Sequence, residues 1–149
     1  RRVIAVHRLH YDDPAPFDPA RPIGDILLEP TRIYVKSCLA AVQTGKIKGF
    51  AHITGGGLTE NIPRVLPEGL GVRLQRGSWP QAPLFTWLRE AANLPLPELY
   101  RTFNCGIGMV AIVAAEDAAE IAGLLTAEGE TVYTLGEVVS DANGRVHIA

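Results

Sequence analysis

The glycine triplet at residues 55–57 constrains the fold of this chain more than any other stretch. An apolar run that includes Ala51 and Ile53 leads into it, and helix-compatible residues follow from Leu58. Glycine adopts positive φ angles and lets backbone N–H groups come close to a ligand. A helix start adds unsatisfied N–H groups and the positive end of a dipole. The order of strand, glycine turn and helix therefore predicts an anion-binding turn.

The polar neighbours of the triplet strengthen that prediction. Three glycines between a strand and a helix more often form a plain tight turn than a binding site. Here His52, Thr54 and Asn61 surround the turn, and each supplies a hydrogen-bonding group. We therefore predict a phosphate cradle at this turn.

A second unusual turn precedes the strand that starts at Met109. Gly106 and Gly108, with Ala111, match the dinucleotide pattern G-x-G-x-x-A. We reject that interpretation because the pattern should open a helix, whereas the residues after it are typical of a strand. Asn104 then either shapes the turn or contacts a ligand, and both readings stay open.

Hydrophobic periodicity predicts alternating helices and strands and an α/β (α+β mixed) fold with one mixed β-sheet flanked by helices. The predicted helices lie at residues 1–9, 23–28, 31–45, 61–66, 84–92, 96–103 and 116–129, and the predicted strands at 48–54, 70–74, 109–115, 131–139 and 145–148.

One helix prediction makes a specific claim about the core. Thr31 is expected to cap the helix that Gly45 ends. Its apolar residues recur at helical spacing and are expected to pack inward. They are Tyr34, Val35, Cys38, Leu39 and Val42.

The stretch from Tyr11 to Pro22 contains four prolines, which exclude a helix or a central strand, and we expect an extended surface loop. His10, Asp12 and Asp13 at its start favour a solvated polar loop over a metal site.

Composition excludes several classes of partner. A net charge of -2 over 149 residues gives no electrostatic case for nucleic acid or an anionic membrane, and no apolar run approaches a membrane span. Cys38 and Cys105 have no metal-type spacing and predict free thiols in a reducing compartment, the cytoplasm. Because Met109 is the only methionine and the chain opens within a helical pattern, we expect a fragment of a longer protein.

Common catalytic motifs are missing. The sequence contains no P-loop, no zinc-type H-E-x-x-H or paired-cysteine spacing and no G-x-S-x-G elbow, so no metal site is predicted. A nucleophile and base pair of Cys105 and His52 is a weaker alternative, because sequence cannot place the two together.

Three long motifs in order, Pro30–Ser37, His52–Pro67 and Tyr100–Met109, resemble the aminoimidazole ribonucleotide synthetase family, also called phosphoribosylformylglycinamidine cyclo-ligase. The resemblance covers nearly the whole chain and implies that residues 1–149 form the C-terminal domain. It implies a mixed sheet flanked by helices, and an absent N-terminal domain carrying most of the ATP site, the Mg²⁺ ligands and most of a homodimer interface.

The resemblance further implies ATP-dependent closure of formylglycinamidine ribonucleotide to aminoimidazole ribonucleotide, ADP and phosphate in de novo purine biosynthesis, with this half binding substrate. His52 would be an oriented donor or proton carrier. The expected substrate- and phosphate-binding residues are Thr54, Gly55, Gly56, Gly57, Asn61, Asn104, Cys105 and Gly106. Replacement of Gly56 by a bulky residue should abolish substrate binding in the full enzyme.

Two other readings remain open. One is a related ATP-dependent enzyme of the same superfamily, such as a small-molecule phosphotransferase. The other is a non-catalytic isolated domain. In each case the fragment alone is expected to be inactive.

Overall fold

The computed structural model describes all 149 residues. Seven α-helices and seven strands follow one another along the chain, and none of the helices is long and apolar enough to cross a membrane. The helices are α1 (Arg2–Val6), α2 (Ile23–Leu27), α3 (Val35–Gln43), α4 (Gly57–Asn61), α5 (Pro83–Ala91), α6 (Leu96–Thr102) and α7 (Ala118–Ala127). The strands are β1 (Pro14–Ala15), β2 (Asp18–Pro22), β3 (Ile47–His52), β4 (Leu70–Leu74), β5 (Met109–Val113), β6 (Gly136–Ser140) and β7 (Val146–Ile148). Single 3₁₀ turns cover Ile62–Val65 and Ala115–Asp117.

The mixed α/β class is confirmed, but the strands form three small sheets rather than one. β3 pairs with β5 in antiparallel register, so that His52 lies opposite Met109. β4 is flanked by β6, antiparallel, and by β7, parallel. β1 and β2 form a separate pair. The β3–β5 pair matters most for the candidate site, because both predicted turns lie at the same end of it, next to His52 and Met109.

The main core fills the space between the β3–β5 pair, β4 and helices α4 and α6. Leu58 on α4 and Leu99 on α6 are fully buried, and Trp79 is almost so. The indole Nε1 of Trp79 donates to the carbonyl oxygen of Cys105 at 3.1 Å, so the buried N–H has a partner. Burying side chains of this size stabilises the fold by about 1.5–3 kcal/mol each.

A second, smaller core lies at the N-terminal end. Its three buried residues are Ile4, Ala15 and Ile23. Phe17 and Trp87 pack against it, and their rings lie 5.4 Å apart between centroids. This contact joins the small core to α5.

The prediction of a loop at residues 11–22 is wrong in part, because this stretch contains the paired strands β1 and β2. Pro14 lies opposite Pro22, and Ala15 lies opposite Asp18. No third strand pairs with β1 or β2. The backbone N–H that each proline lacks is therefore not needed for a hydrogen bond to a neighbouring strand. Proline therefore excludes a central strand, but not an isolated two-stranded pair.

The predicted inward packing of the apolar stripe on α3 is wrong in part, because Tyr34 and Cys38 are half-buried but the other three residues are not. The helix begins at Val35, four residues after Thr31, and no side chain caps it. Ser37 and Ala41 form its buried face, whereas Val35, Leu39 and Val42 are exposed. Small residues let the helix approach the C-terminal end of α7, where Ser37 Oγ donates to Glu130 Oε1 at 2.7 Å.

The strand expected at residues 131–139 is shorter than predicted. Regular pairing begins only at Gly136 in β6, and the preceding residues are extended without a ladder. One bond, from the N–H of Gln75 to the carbonyl oxygen of Leu135, ties this segment to β4.

Candidate functional site

A cavity of about 830 Å³ lies where the two glycine-containing turns meet. The turn after β3 forms one wall, and the turn before β5 forms another. The antiparallel pairing of β3 with β5 produces this arrangement, because it places the end of one strand beside the start of the other.

Five of the nine predicted site residues line this cavity, and four do not. The lining residues are His52, Thr54, Gly55, Asn104 and Gly106. The other four, Gly56, Gly57, Asn61 and Cys105, lie behind the cavity surface and build the two turns.

The three glycines of the triplet differ in what requires them. Gly55 has no other atom within 4 Å of where a Cβ would lie. Gly56 has φ +99°, and a Cβ there would approach the flexible side chain of Glu60. Gly57 has φ +57°, and a Cβ would collide with backbone carbonyl oxygens at the end of α6. Gly56 and Gly57 are therefore needed by the fold, and Gly55 is free to serve a ligand.

Asn61 holds the glycine turn from inside. Its side chain is buried, and its Nδ2 donates to the carbonyl oxygens of Gly57 at 2.8 Å and Gly55 at 3.2 Å. Its Oδ1 accepts a bond from Arg64 at 3.2 Å. The amide that we expected to orient a ligand is thus engaged within the chain.

The second turn is held by both its backbone and its side chains. Asn104 Oδ1 accepts from the N–H of Gly106 at 3.2 Å, so Asn104 shapes the turn while it also lines the cavity. Cys105 adopts φ 51°, a left-handed conformation that few residues with a side chain take. It is fully buried, and burial raises the pKa of its thiol to about 11. A buried thiol with a raised pKa is not an activated nucleophile, which argues against the pairing with His52.

Sequence reasoning missed several residues that line the cavity. Asp18 and Arg21 come from β2, Thr31 precedes α3, and Phe85 lies in the first turn of α5. They are distant in sequence from both turns, and only the chain's path brings them there. Thr31 lies within the first of the three family-like motifs, and that was the one available signal.

Tyr34 also lines the cavity and faces His52. The two rings meet edge-on, with centroids 6.1 Å apart. Burial raises the pKa of the Tyr34 hydroxyl, and the negative charge of Glu130 adds to the effect. The hydroxyl therefore stays protonated at neutral pH.

Charges in the cavity are partly balanced within the chain. Arg32 is held by Glu130, with 2.8 Å between Nε and Oε2, and also donates to the carbonyl oxygen of Gly129. Arg21 makes only a long contact of 3.7 Å with Glu29, and both side chains are exposed. Such a pair contributes little to stability, so Arg21 can turn to an anion at small cost.

No group of three or more His, Cys, Asp or Glu side chains could hold a metal ion. Near the N-terminus, the Asp13 carboxylate accepts a bond from the N–H of His10 at 2.6 Å. This carboxylate is thus engaged within its own turn.

A second concavity of about 680 Å³ lies between β5, α7 and the extended segment at residues 130–138. Its lining is mostly aliphatic, and its charged side chains are paired within the chain, Arg32 with Glu130 and Glu137 with Arg73. Convergent polar groups mark the cavity at the turns, and not this groove, as the candidate site.

Comparison with known proteins agrees with the geometry. The family described as AIR synthase related protein, C-terminal domain, matches residues 3–149. A phosphoribosylformylglycinamidine cyclo-ligase of Methylobacillus flagellatus is 56% identical over 124 residues, which are 83% of this chain and 36% of that protein. A protein of the same name from Neisseria meningitidis serogroup C is 51% identical over 142 residues, 95% of this chain and 41% of that protein.

These relatives are much longer than this chain, which spans about two fifths of their length. The family match nevertheless runs through every element described above, from α1 to β7, and includes both turns that border the cavity. This chain belongs to the family of AIR synthase related proteins, as their C-terminal domain.

Proposed function

We propose that this chain is the substrate-binding part of a phosphoribosylformylglycinamidine cyclo-ligase of purine biosynthesis. In the whole enzyme, phosphate from ATP would activate the formyl oxygen of formylglycinamidine ribonucleotide. The amidine nitrogen would then attack the same carbon, closing the imidazole ring and releasing phosphate. The contribution of this chain is to bind and orient the ribonucleotide, which lowers the barrier by fixing the reacting groups.

One observation carries the proposal. The backbone N–H groups of Thr54 and Gly55, both at the cavity, have no acceptor within the chain. Peptide N–H groups rarely remain without a partner unless solvent or a ligand supplies one. The hydroxyl of Thr54 adds a third donor beside them. Together they suit the oxygens of a phosphate.

Other features of the cavity support a phosphorylated ligand. The N-terminus of α5 lines it at Pro83, and its first turn holds no acidic residue. A nine-residue helix of this kind favours an anion at that end. The dipole of α4 adds little, because that helix has only five residues. The cavity volume also lies within the range of small-molecule sites.

His52 would act on the ligand rather than on the protein. It is exposed at the end of β3, and no hydrogen bond joins its ring to the chain. An imidazole free at both nitrogens can donate to a ligand or carry a proton. We propose the first role for His52, with the second as the lesser alternative.

ATP and Mg²⁺ are proposed to bind mainly outside this chain. It follows that the isolated chain binds substrate without turning it over. We also propose a homodimer of the longer enzyme in the cytoplasm, in keeping with two free thiols and with exposed apolar residues on α3.

The proposal is tested by thermal melting of this chain with formylglycinamidine ribonucleotide and, separately, with ATP and Mg²⁺. A ligand at about a hundred times its dissociation constant stabilises the folded state by about 2.7 kcal/mol. We expect a shift with the ribonucleotide and none with ATP. A shift with ATP and Mg²⁺ alone would favour a phosphotransferase, and no shift with either would favour a non-binding domain.

A matched pair of variants locates the binding turn. Gly55→Leu places a side chain into open space beside the cavity, so the free protein should melt as before while the ribonucleotide shift is lost. Gly123→Leu on α7 is the control, since that glycine is equally unobstructed and lies away from the cavity. Equal ligand shifts in the two variants would contradict a phosphate at this turn.

A further inference from the structure

The ring of Tyr34 packs against His52, whose imidazole makes no hydrogen bond within the chain. Its ring meets the imidazole of His52 at 69°, an edge-on arrangement. The rings of His7 and His147 are hydrogen-bonded to protein atoms, whereas the ring of His52 is not. The orientation of His52 therefore depends on packing, and Tyr34 supplies it.

Gly108 makes room for Tyr34. A Cβ at position 108 would overlap the Tyr34 hydroxyl and lie 2.8 Å from its Cζ. The φ angle of Gly108 is not in the left-handed region, so the backbone does not require glycine there. The carbonyl oxygen of Gly108 also accepts from the N–H of Ile53, directly after His52. The notch that receives Tyr34 is thus attached to the strand that carries His52.

Two residues that flank Tyr34 in the sequence, Arg32 and Ser37, contact the carboxylate of Glu130. The hydroxyl of Ser37 lies 3.1 Å from the carbonyl oxygen of Tyr34 and 2.7 Å from Glu130 Oε1. Arg32, two residues before Tyr34, is paired with the second oxygen of the same carboxylate at 2.8 Å. Hydrogen bonds to a charged group are stronger than neutral ones, and this carboxylate is mostly shielded from water. Backbone and ring of Tyr34 are therefore held from opposite sides.

We propose that Tyr34 is a positioning residue, which keeps the imidazole of His52 in one orientation at the cavity. The positioning role itself does not depend on the proposed function. Its consequence does, because we expect an ordered imidazole to bind the ribonucleotide more tightly. Edge-on aromatic contacts of this kind are favourable beyond burial alone, and they favour one orientation of the imidazole over the others.

The first experiment measures imidazole NMR signals of this chain without ligand. With four histidines the spectrum is simple, and His7, His10 and His147 serve as internal references. In Tyr34→Leu, we expect the His52 ring signals alone to move and the order parameter of its imidazole to fall, because the ring then samples several orientations. Tyr34→Phe keeps the ring and should preserve the wild-type values.

The control for a general effect is Tyr11→Leu, because Tyr11 is exposed and does not line the cavity. It should leave His52 unchanged. If His52 stays equally ordered in Tyr34→Leu, the proposal is wrong. The same holds if Tyr34→Phe loosens His52 as much as Tyr34→Leu does, because the ring contact would then not be responsible.

Gly108→Ala provides a second route that leaves Tyr34 in the sequence. The added methyl should displace the tyrosine tip, lower the melting temperature and release His52. In a Tyr34→Leu background, Gly108→Ala should lower the melting temperature much less, because the tyrosine atoms that the methyl group would meet are absent. Equal costs in both backgrounds would contradict the notch.

Ligand titration separates this inference from the proposed function. If the ribonucleotide binds, Tyr34→Leu should raise its dissociation constant about two- to twelve-fold, the factor for freezing one side chain. An unchanged constant would overturn the binding consequence. If wild type fails to bind the ribonucleotide, the proposed function fails, while the ligand-free NMR result still decides the role of Tyr34.

Discussion

Gly57→Ala should destabilise the fold strongly, although it adds only one methyl group. Gly57 has φ +57°, and a residue with a Cβ pays about 1–2 kcal/mol in that conformation. The new Cβ would also collide with the carbonyl oxygen of Tyr100 and lie 2.7 Å from that of Phe103. Both are backbone atoms of the α6 end, so relief requires moving the helix, and overpacking of this kind costs about 1–3 kcal/mol. The sum is about 2–5 kcal/mol.

Urea unfolding followed by circular dichroism measures this cost, with the slope m checked for constancy. For a chain of this size, about 2–5 kcal/mol corresponds to a fall of at least about 4 °C in melting temperature. Gly55→Ala is the control, because its Cβ meets nothing within 4 Å and should change stability by less than about 0.5 kcal/mol. Gly57→Ala with the stability of wild type would refute the reasoning, since neither strain nor collision would then exist.

Three further predictions follow from burial and charge. A thiol reagent at neutral pH should modify Cys38 first and Cys105 only on unfolding, because Cys105 is fully buried and burial raises the pKa of its thiol; equal rates would contradict this. The hydrogen bond with His147 lowers the pKa of Asp141, so its stabilisation is present above the usual carboxyl pKa and is lost as pH falls through the lowered value. Asp141→Asn should therefore melt below wild type at neutral pH and equal to it in strong acid. A difference in melting temperature that persists in acid would argue against stabilisation by the ionised carboxylate. Leu39→Glu should change the free energy of unfolding by less than about 0.5 kcal/mol, since Leu39 is 57% exposed; a much larger loss in urea unfolding would mean that this face is packed.

Most elements could be predicted from the sequence, because their patterns report local requirements. Leu70, Val72 and Leu74 alternate with polar or small residues, and β4 spans the same residues. Helix α3 shows where periodicity fails. Two faces of that helix were available, one of large apolar residues and one containing Ser37 and Ala41. The small face is buried because α7 approaches closely there, and periodicity carries no information about a neighbour's distance.

The candidate site could be predicted only as a neighbourhood. Turn chemistry correctly drew attention to the residues around the glycine triplet and Asn104. Turn chemistry could not tell which atoms face the cavity. Which side of a turn faces the core and which faces the cavity depends on the elements that pack against it. Asn61 and Cys105 lie on the inside, bonded to their own backbone or to core atoms. Arg21 and Thr31 reach the cavity through long-range folding, which no local pattern encodes.

The cavity is bounded by two units that are packed separately, and this bears on how ligand binding can be measured. On one side lie Phe17 and Ile26, which pack against the small N-terminal core, and on the other lie the turns of the main core. A unit with only three buried residues opens at a lower free energy than the rest of the chain. We therefore expect this unit to open without any loosening of the β3–β5 pair. A ligand that contacts both units should slow hydrogen exchange in β1, β2 and α2 far more than in the main core, so that exchange in the least stable part of the fold reports binding.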